Sequence, residues 1–139
     1  MVENAGAALA ALSVALMQPQ RRPSVVVLAG AGGNGGGGMA AARRLVAWGW
    51  PVQVFLTHSK LRDEVQTQRE ILDAMGVSVQ NADPTRLSAT LARADLIIDA
   101  VVGYSMVGPP QGMAMAVIRA ANTSGAPIFG TGCSVGLAS

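Results

Sequence analysis

The chain has 139 residues, half of them hydrophobic and 13% charged, a balance that excludes intrinsic disorder and fits one domain around one core. Ten Lys and Arg against eight Asp and Glu leave a net charge of +2, and aromatics make up 4%, so the clustered basic and aromatic surface of a nucleic-acid binder is missing. A lone cysteine, Cys133, excludes an intramolecular disulfide framework and points to a cytoplasmic protein.

Residues 2–17 are rich in Ala and Leu. Glu3 precedes the apolar run with no Lys or Arg beside it, and the run is too short to span a bilayer, so it reads as a helix and not as a secretion signal or membrane segment. A linker over residues 18–23 leads to Ser-Val-Val-Val-Leu-Ala at 24–29, a continuous β-branched run of the kind that is buried on both faces of a sheet. A glycine-rich loop over 30–38 follows, then a predicted helix over 39–48 and a strand over 52–57. Leu61, Val65, Ile71, Leu72 and Met75 lie at helical spacing, and Gly76 supplies the stop. A brief strand is predicted at 77–79, and Asn81-Ala82-Asp83-Pro84 offers capping chemistry for a helix over 86–94. A fourth buried strand over 96–102, a loop over 103–110, a helix over 112–121 and a fifth strand over 126–131 complete the alternation.

Continuous apolar strands alternating with helices imply an α/β domain with a parallel sheet covered on both faces. Ligands of such sheets bind beyond the carboxyl ends of the strands, where the strand order reverses. The candidate site therefore draws on the loops at 30–38, 99–110 and 131–139, with 58–60 nearby. The first loop holds seven glycines in nine residues and contains G-x-G-x-x-G between a strand and a helix, a pattern suited to a phosphate or nucleotide at a helix N-terminus placed near Met39. A dinucleotide site of the common type has an acidic residue at the end of the second strand. Here Thr57-His58-Ser59-Lys60 stands instead, without a carboxylate, and His58 and Lys60 tolerate a 2′-phosphate. Asp99 closes an apolar strand and needs a partner, either neighbouring loop amides that it caps or a cation or hydroxyl at the site.

Four collinear motifs carry a resemblance. Met1-Val2-Glu3-Asn4-Ala5-Gly6 looks like M-x-E-N-A-G; residues 30–39, with Ala41-Ala42-Arg43-Arg44-Leu45 one residue further on, look like G-P-G-N-N-G-G-D-G-L with its A-A-R-x-L helix. Residues 95–110 look like D-x-I-I-D-A-L-x-G-x-G-x-x-G-P, and Ala121-Asn122, Ser124-Gly125-Ala126-Pro127 and residues 134–138 continue in the same order. Together they resemble the NAD(P)H-hydrate epimerase family, the YjeF N-terminal domain family, from Met1 to Ser139. The resemblance implies a Rossmann-like three-layer sandwich with a mainly parallel five-stranded sheet. It also implies homodimers, and a repair reaction that interconverts epimers of hydrated NADH or NADPH by means of an acidic residue and a potassium ion. By this match Asn34 and Asp99 correspond to potassium ligands. Gly32, Gly33, Asn34, Gly35, Gly36 and Gly37, with Gly103, Tyr104, Ser105, Met106, Val107, Gly108 and Pro109, correspond to the ligand-binding loops.

The chain departs from the family where the chemistry lies. The family's loop Asp falls on Gly37, its first loop Asn on Gly33, its catalytic acid on Gly132 and its potassium-binding serine on Val135. Glycine transfers no proton. The expectation is a single domain over residues 1–139, shortened at both ends relative to the family, that binds an NADP(H)-type nucleotide or another phosphate-bearing small molecule with its catalytic acid lost. One alternative is an active epimerase in which Asp99, Cys133 or a water serves as acid and base. The other is a non-catalytic structural or assembly subunit. The low charge and the apolar segment at 2–17 favour a homodimer or higher oligomer, or assembly with another subunit; neither nucleic acid nor membrane is expected as partner.

Overall fold

Each apolar run of the described chain becomes a strand, and each amphipathic run a helix. A computed structural model of the protein describes residues 23–101 and 112–130. In chain order the elements are β1 (Val25–Ala29), α1 (Gly33–Ala47), β2 (Val52–Leu56), α2 (Asp63–Ala74), β3 (Ser78–Asn81), α3 (Pro84–Ala92), β4 (Leu96–Ala100), α4 (Met113–Thr123) and β5 (Ile128–Gly130). The helix expected over 2–17, the loop at 103–110 and the closing segment with Gly132, Cys133 and Val135 lie outside the described residues.

The strands form one sheet in the order β3-β2-β1-β4-β5, every pair parallel. Alternation along each strand sends side chains to two cores. Val25, Val27, Val54, Leu56, Leu96 and Ile98 meet Met39 and Leu45 of α1 and Val65 and Leu72 of α2. On the other face Val26, Leu28, Phe55 and Ile97 meet Leu87 and Leu91 of α3 and Ala114 and Val117 of α4. The result is the three-layer α/β sandwich expected from the sequence. Burying each of the larger side chains contributes about 1.5–3 kcal/mol against leaving it in water, which is why the central strands carry almost nothing polar.

Turn chemistry sets the ends of the elements. Gly76 takes φ 80° just after α2, a conformation that a side chain disfavours, as expected of a helix stop. Asp83 accepts a hydrogen bond from the Thr85 N–H at 3.1 Å, and Pro84 fits the first helical position, so α3 starts two residues before the predicted 86. At the far end of α1, Trp48 is 49% exposed, while Trp50, beyond Gly49 at φ 89°, turns back into the core at 6%.

The start of α1 is the main correction. The helix begins at Gly33, with Gly32 as its cap, and not near Met39, so most of the expected glycine loop is helical. Glycine disfavours a helix by about 1 kcal/mol per residue relative to Ala, so packing must outweigh propensity here. A Cβ on Gly35 would overlap the Gly30 carbonyl oxygen, and one on Gly38 would lie 2.5 Å from the Ala100 Cβ and 3.3 Å from Val27 Cγ1. The glycines let the helix rest directly on the ends of β1 and β4.

Candidate functional site

The in-register pairing of Ala29 with Leu56 on one side and Ala100 on the other brings the carboxyl ends of β1, β2 and β4 level. The next residues continue the ladder: the Gly30 N–H donates to the Ala100 carbonyl at 3.0 Å, and the Thr57 N–H to the Ala29 carbonyl at 3.0 Å. The strand order reverses between β1 and β4, and in sheets of this kind that is where ligands bind, in a crevice beyond the carboxyl ends of the strands. Because α1 follows β1 at once, its N-terminal turn faces that crevice and brings the positive end of the helix dipole there. Neither an acidic residue in the first turn nor a capping side chain offsets it.

The glycines divide by what surrounds them. Gly30, Gly35 and Gly38 are glycine because backbone or core lies against them, whereas a Cβ on Gly32 or Gly33 would meet nothing within 4 Å among the described residues. Among the described residues, nothing fills the mouth of the turn. Asn34 sits in the first turn of α1, half-buried, and Gly36 and Gly37 are buried within the helix.

Asp99 closes the other side. It is the fourth residue of β4, opposite Leu28 of β1 and Gly130 of β5, and its Oδ1 accepts the Val101 N–H at 3.0 Å. Capping of a neighbouring amide, one of the two roles anticipated for it, is thus realised. Burial pushes its carboxyl pKa above the ordinary value, and the Val101 hydrogen bond pulls it part of the way back. His58 and Lys60, just past β2, are exposed. Among the described residues no group of three His, Cys, Asp or Glu is placed to hold a metal, and no helix is long and apolar enough to cross a membrane. A hollow lined by Ser24, Gln53, Thr90 and Arg93 lies at the opposite, amino-end edge of the sheet, away from these groups.

One contact had no signal in the sequence. The Arg62 N–H donates to the Ala31 carbonyl at 3.3 Å and ties the segment after β2 to the glycine turn. A backbone-to-backbone bond between loops leaves no residue signature.

Sheet order, glycine turn and helix start define a doubly wound, Rossmann-like α/β domain. A family model described as YjeF-related protein N-terminus matches residues 1–139, and the chain belongs to that family. It is 34% identical over 134 residues to the bifunctional NAD(P)H-hydrate repair enzyme Nnr of Thermofilum pendens, a match that covers 93% of this chain. The chain spans 25% of that enzyme's length. The crystal structure of the yeast protein YNL200c superimposes with a TM-score of 0.84 at 24% identity, covering 94% of this chain and 58% of the yeast chain. An L-alanine dehydrogenase superimposes at 0.63 and 22% identity, covering 95% of this chain and 39% of the other, a likeness of fold.

Proposed function

We propose that this chain is an NAD(P)H-hydrate epimerase-like domain that holds a nucleotide or another phosphate-bearing ligand in the crevice above β1 and β4 and has lost its catalytic acid. The observation that supports binding is the mouth at Gly32 and Gly33, unfilled by any described residue and set against the start of α1. N–H groups in the first turn of a helix have no partner within the helix, and an anion there is stabilised by them and by the dipole. The loss of catalysis rests on residue type: the family's acidic positions are Gly37 and Gly132, and Gly37 is buried in α1 with no side chain to carry a proton.

Asn34 and Asp99 suit the potassium ion that the family uses. Both offer oxygen donors, the ligands an alkali cation takes, and the desolvated Asp99 carboxylate would be relieved by a positive charge beside it. Val135 in place of the serine removes one side-chain donor. Bound there, the ion would supply positive charge to the site, and Asn34 and Asp99 would hold it.

One observation favours the active alternative: the raised pKa of Asp99 brings its protonated form closer to neutral pH, as a general acid requires. Calorimetric titration with NADPH and a turnover assay on hydrated NADPH separate the readings. The expected result is binding with turnover far below that of a Gly132→Asp, Val135→Ser variant. Wild-type turnover equal to that variant's supports the active reading, with Asp99→Asn abolishing it. No binding leaves the structural-subunit reading.

We also propose self-association. β3 and β5 end the sheet among the described residues, and the charge content gives little repulsion. Sedimentation at micromolar concentration checks this, and a single species of 14.1 kDa refutes it.

A further inference from the structure

The residues just past β2 lie at the same carboxyl end of the sheet as the start of α1. Thr57, 7% exposed, continues the ladder past β2, and its hydroxyl donates to the Ala29 carbonyl at 3.4 Å and lies 2.8 Å from His58 Nδ1. The backbone bond from Arg62 to Ala31 anchors the other end. Residues 58–61 therefore form a short loop held at both ends against the segment that leads into α1.

In a sheet of this order, a nucleotide whose phosphates sit at the start of the first helix places its ribose beside the end of β2. A carboxylate at that position accepts the 2′-hydroxyl of an unphosphorylated ribose and repels a 2′-phosphate. Here the position carries the opposite set. His58, Ser59, Lys60 and Arg62 are all exposed at this edge, combining hydroxyl and cationic donors, and Thr57 holds the His58 ring. The neighbouring carboxylates, Asp63 and Glu64, belong to the first turn of α2, where they complement the dipole of that helix.

We propose that this loop is a specificity element that selects a 2′-phosphorylated adenosine ligand over its unphosphorylated counterpart. Lys60 and Arg62 supply charge to the phosphate, and Ser59 and His58 supply oriented hydrogen bonds. The inference rests on the ligand reading above and adds to it the choice between the two dinucleotide classes.

Isothermal titration of the full chain with ADP-ribose and with its 2′-phosphate tests it. The phosphorylated compound is expected to bind at least about tenfold more tightly, the gain of one charge-assisted contact. That ratio should fall toward one in a Lys60→Ala, Arg62→Ala variant and should shrink as salt is raised. The substitutions are at exposed positions, and an unchanged melting curve certifies the fold. Equal affinity for the two compounds in the wild type, or a ratio unmoved by the double substitution, overturns the specificity element and leaves the ligand site standing. Failure of both compounds to bind overturns the ligand site and this inference with it.

Discussion

Replacing Gly35 by Ala tests whether close approach, and not loop flexibility, explains the glycine run. A Cβ there would overlap the Gly30 carbonyl oxygen and lie 2.8 Å from that carbonyl carbon and 3.0 Å from the Gly30 nitrogen. These are backbone atoms, and the Gly30 N–H is engaged with the Ala100 carbonyl at 3.0 Å, so the strand end cannot withdraw without losing a ladder bond. Overpacking costs about 1–3 kcal/mol where side chains can yield, and rigid backbone puts this site at the upper end. Alanine regains about 1 kcal/mol of helix propensity, for a net loss of about 2 kcal/mol. Gly33→Ala, two residues earlier in the same helix, meets nothing within 4 Å among the described residues and should gain about 0.5–1 kcal/mol. The two variants should therefore lie about 3 kcal/mol apart, roughly 10 °C in melting midpoint for a chain of this size. Thermal and urea unfolding followed by far-UV circular dichroism measures the gap. Equal midpoints for the two variants would refute the close approach of α1 to β1.

Gly38→Ala should destabilise through its contact with the Ala100 methyl, and Ala100→Gly in the same chain should restore part of the loss, a favourable coupling read by a double-mutant cycle. Asp99→Asn should stabilise the protein near neutral pH. The folded chain holds the Asp99 proton more tightly than the unfolded chain, so its charge costs stability above the folded pKa, and that cost fades as pH falls and is gone below the ordinary value of 3.8. Melts from about pH 3.5 to 8 should show the variant's advantage vanish at the acid end; an advantage constant across the range contradicts the burial argument. Asp83→Ala removes the acceptor for the Thr85 N–H and should cost about 1 kcal/mol in urea unfolding.

The strands were legible because burial on both faces forces continuous β-branched runs, and Val25 to Ala29 or Leu96 to Ile98 have few other uses. Helix stops were legible where φ must be positive, as at Gly76. The start of α1 was hidden for a physical reason: the signal for a helix is periodic apolar side chains, and Gly35 to Gly38 have none. Their role is defined by Gly30, Ala100 and Val27, residues distant in the chain whose approach no local pattern encodes. β3 was harder to bound than the central strands, since Ser78, Val79, Gln80 and Asn81 form a part-exposed edge with weak alternation. Of the candidate site, Asp99 and the glycines stood out by residue type and by their place at strand ends, whereas Asn34 was singled out only by the resemblance to the family's motif. The anchoring of 58–61 was not, because Arg62 and Ala31 meet through their backbones.

The pair Trp48 and Trp50 gives the protein an internal optical reporter. They are its two tryptophans, one half-exposed and one buried, so the emission spectrum of the folded chain is a sum of a redder component and a bluer one. Unfolding moves chiefly the bluer component, and an added quencher reaches chiefly the redder one. The two indoles lie at the opposite end of α1 from the glycine turn, and a helix of 15 residues is about 22 Å long. A ligand without a reduced nicotinamide, such as ADP-ribose, entering the crevice should therefore leave the emission almost untouched, whereas NADPH, which absorbs where tryptophan emits, should quench it by energy transfer.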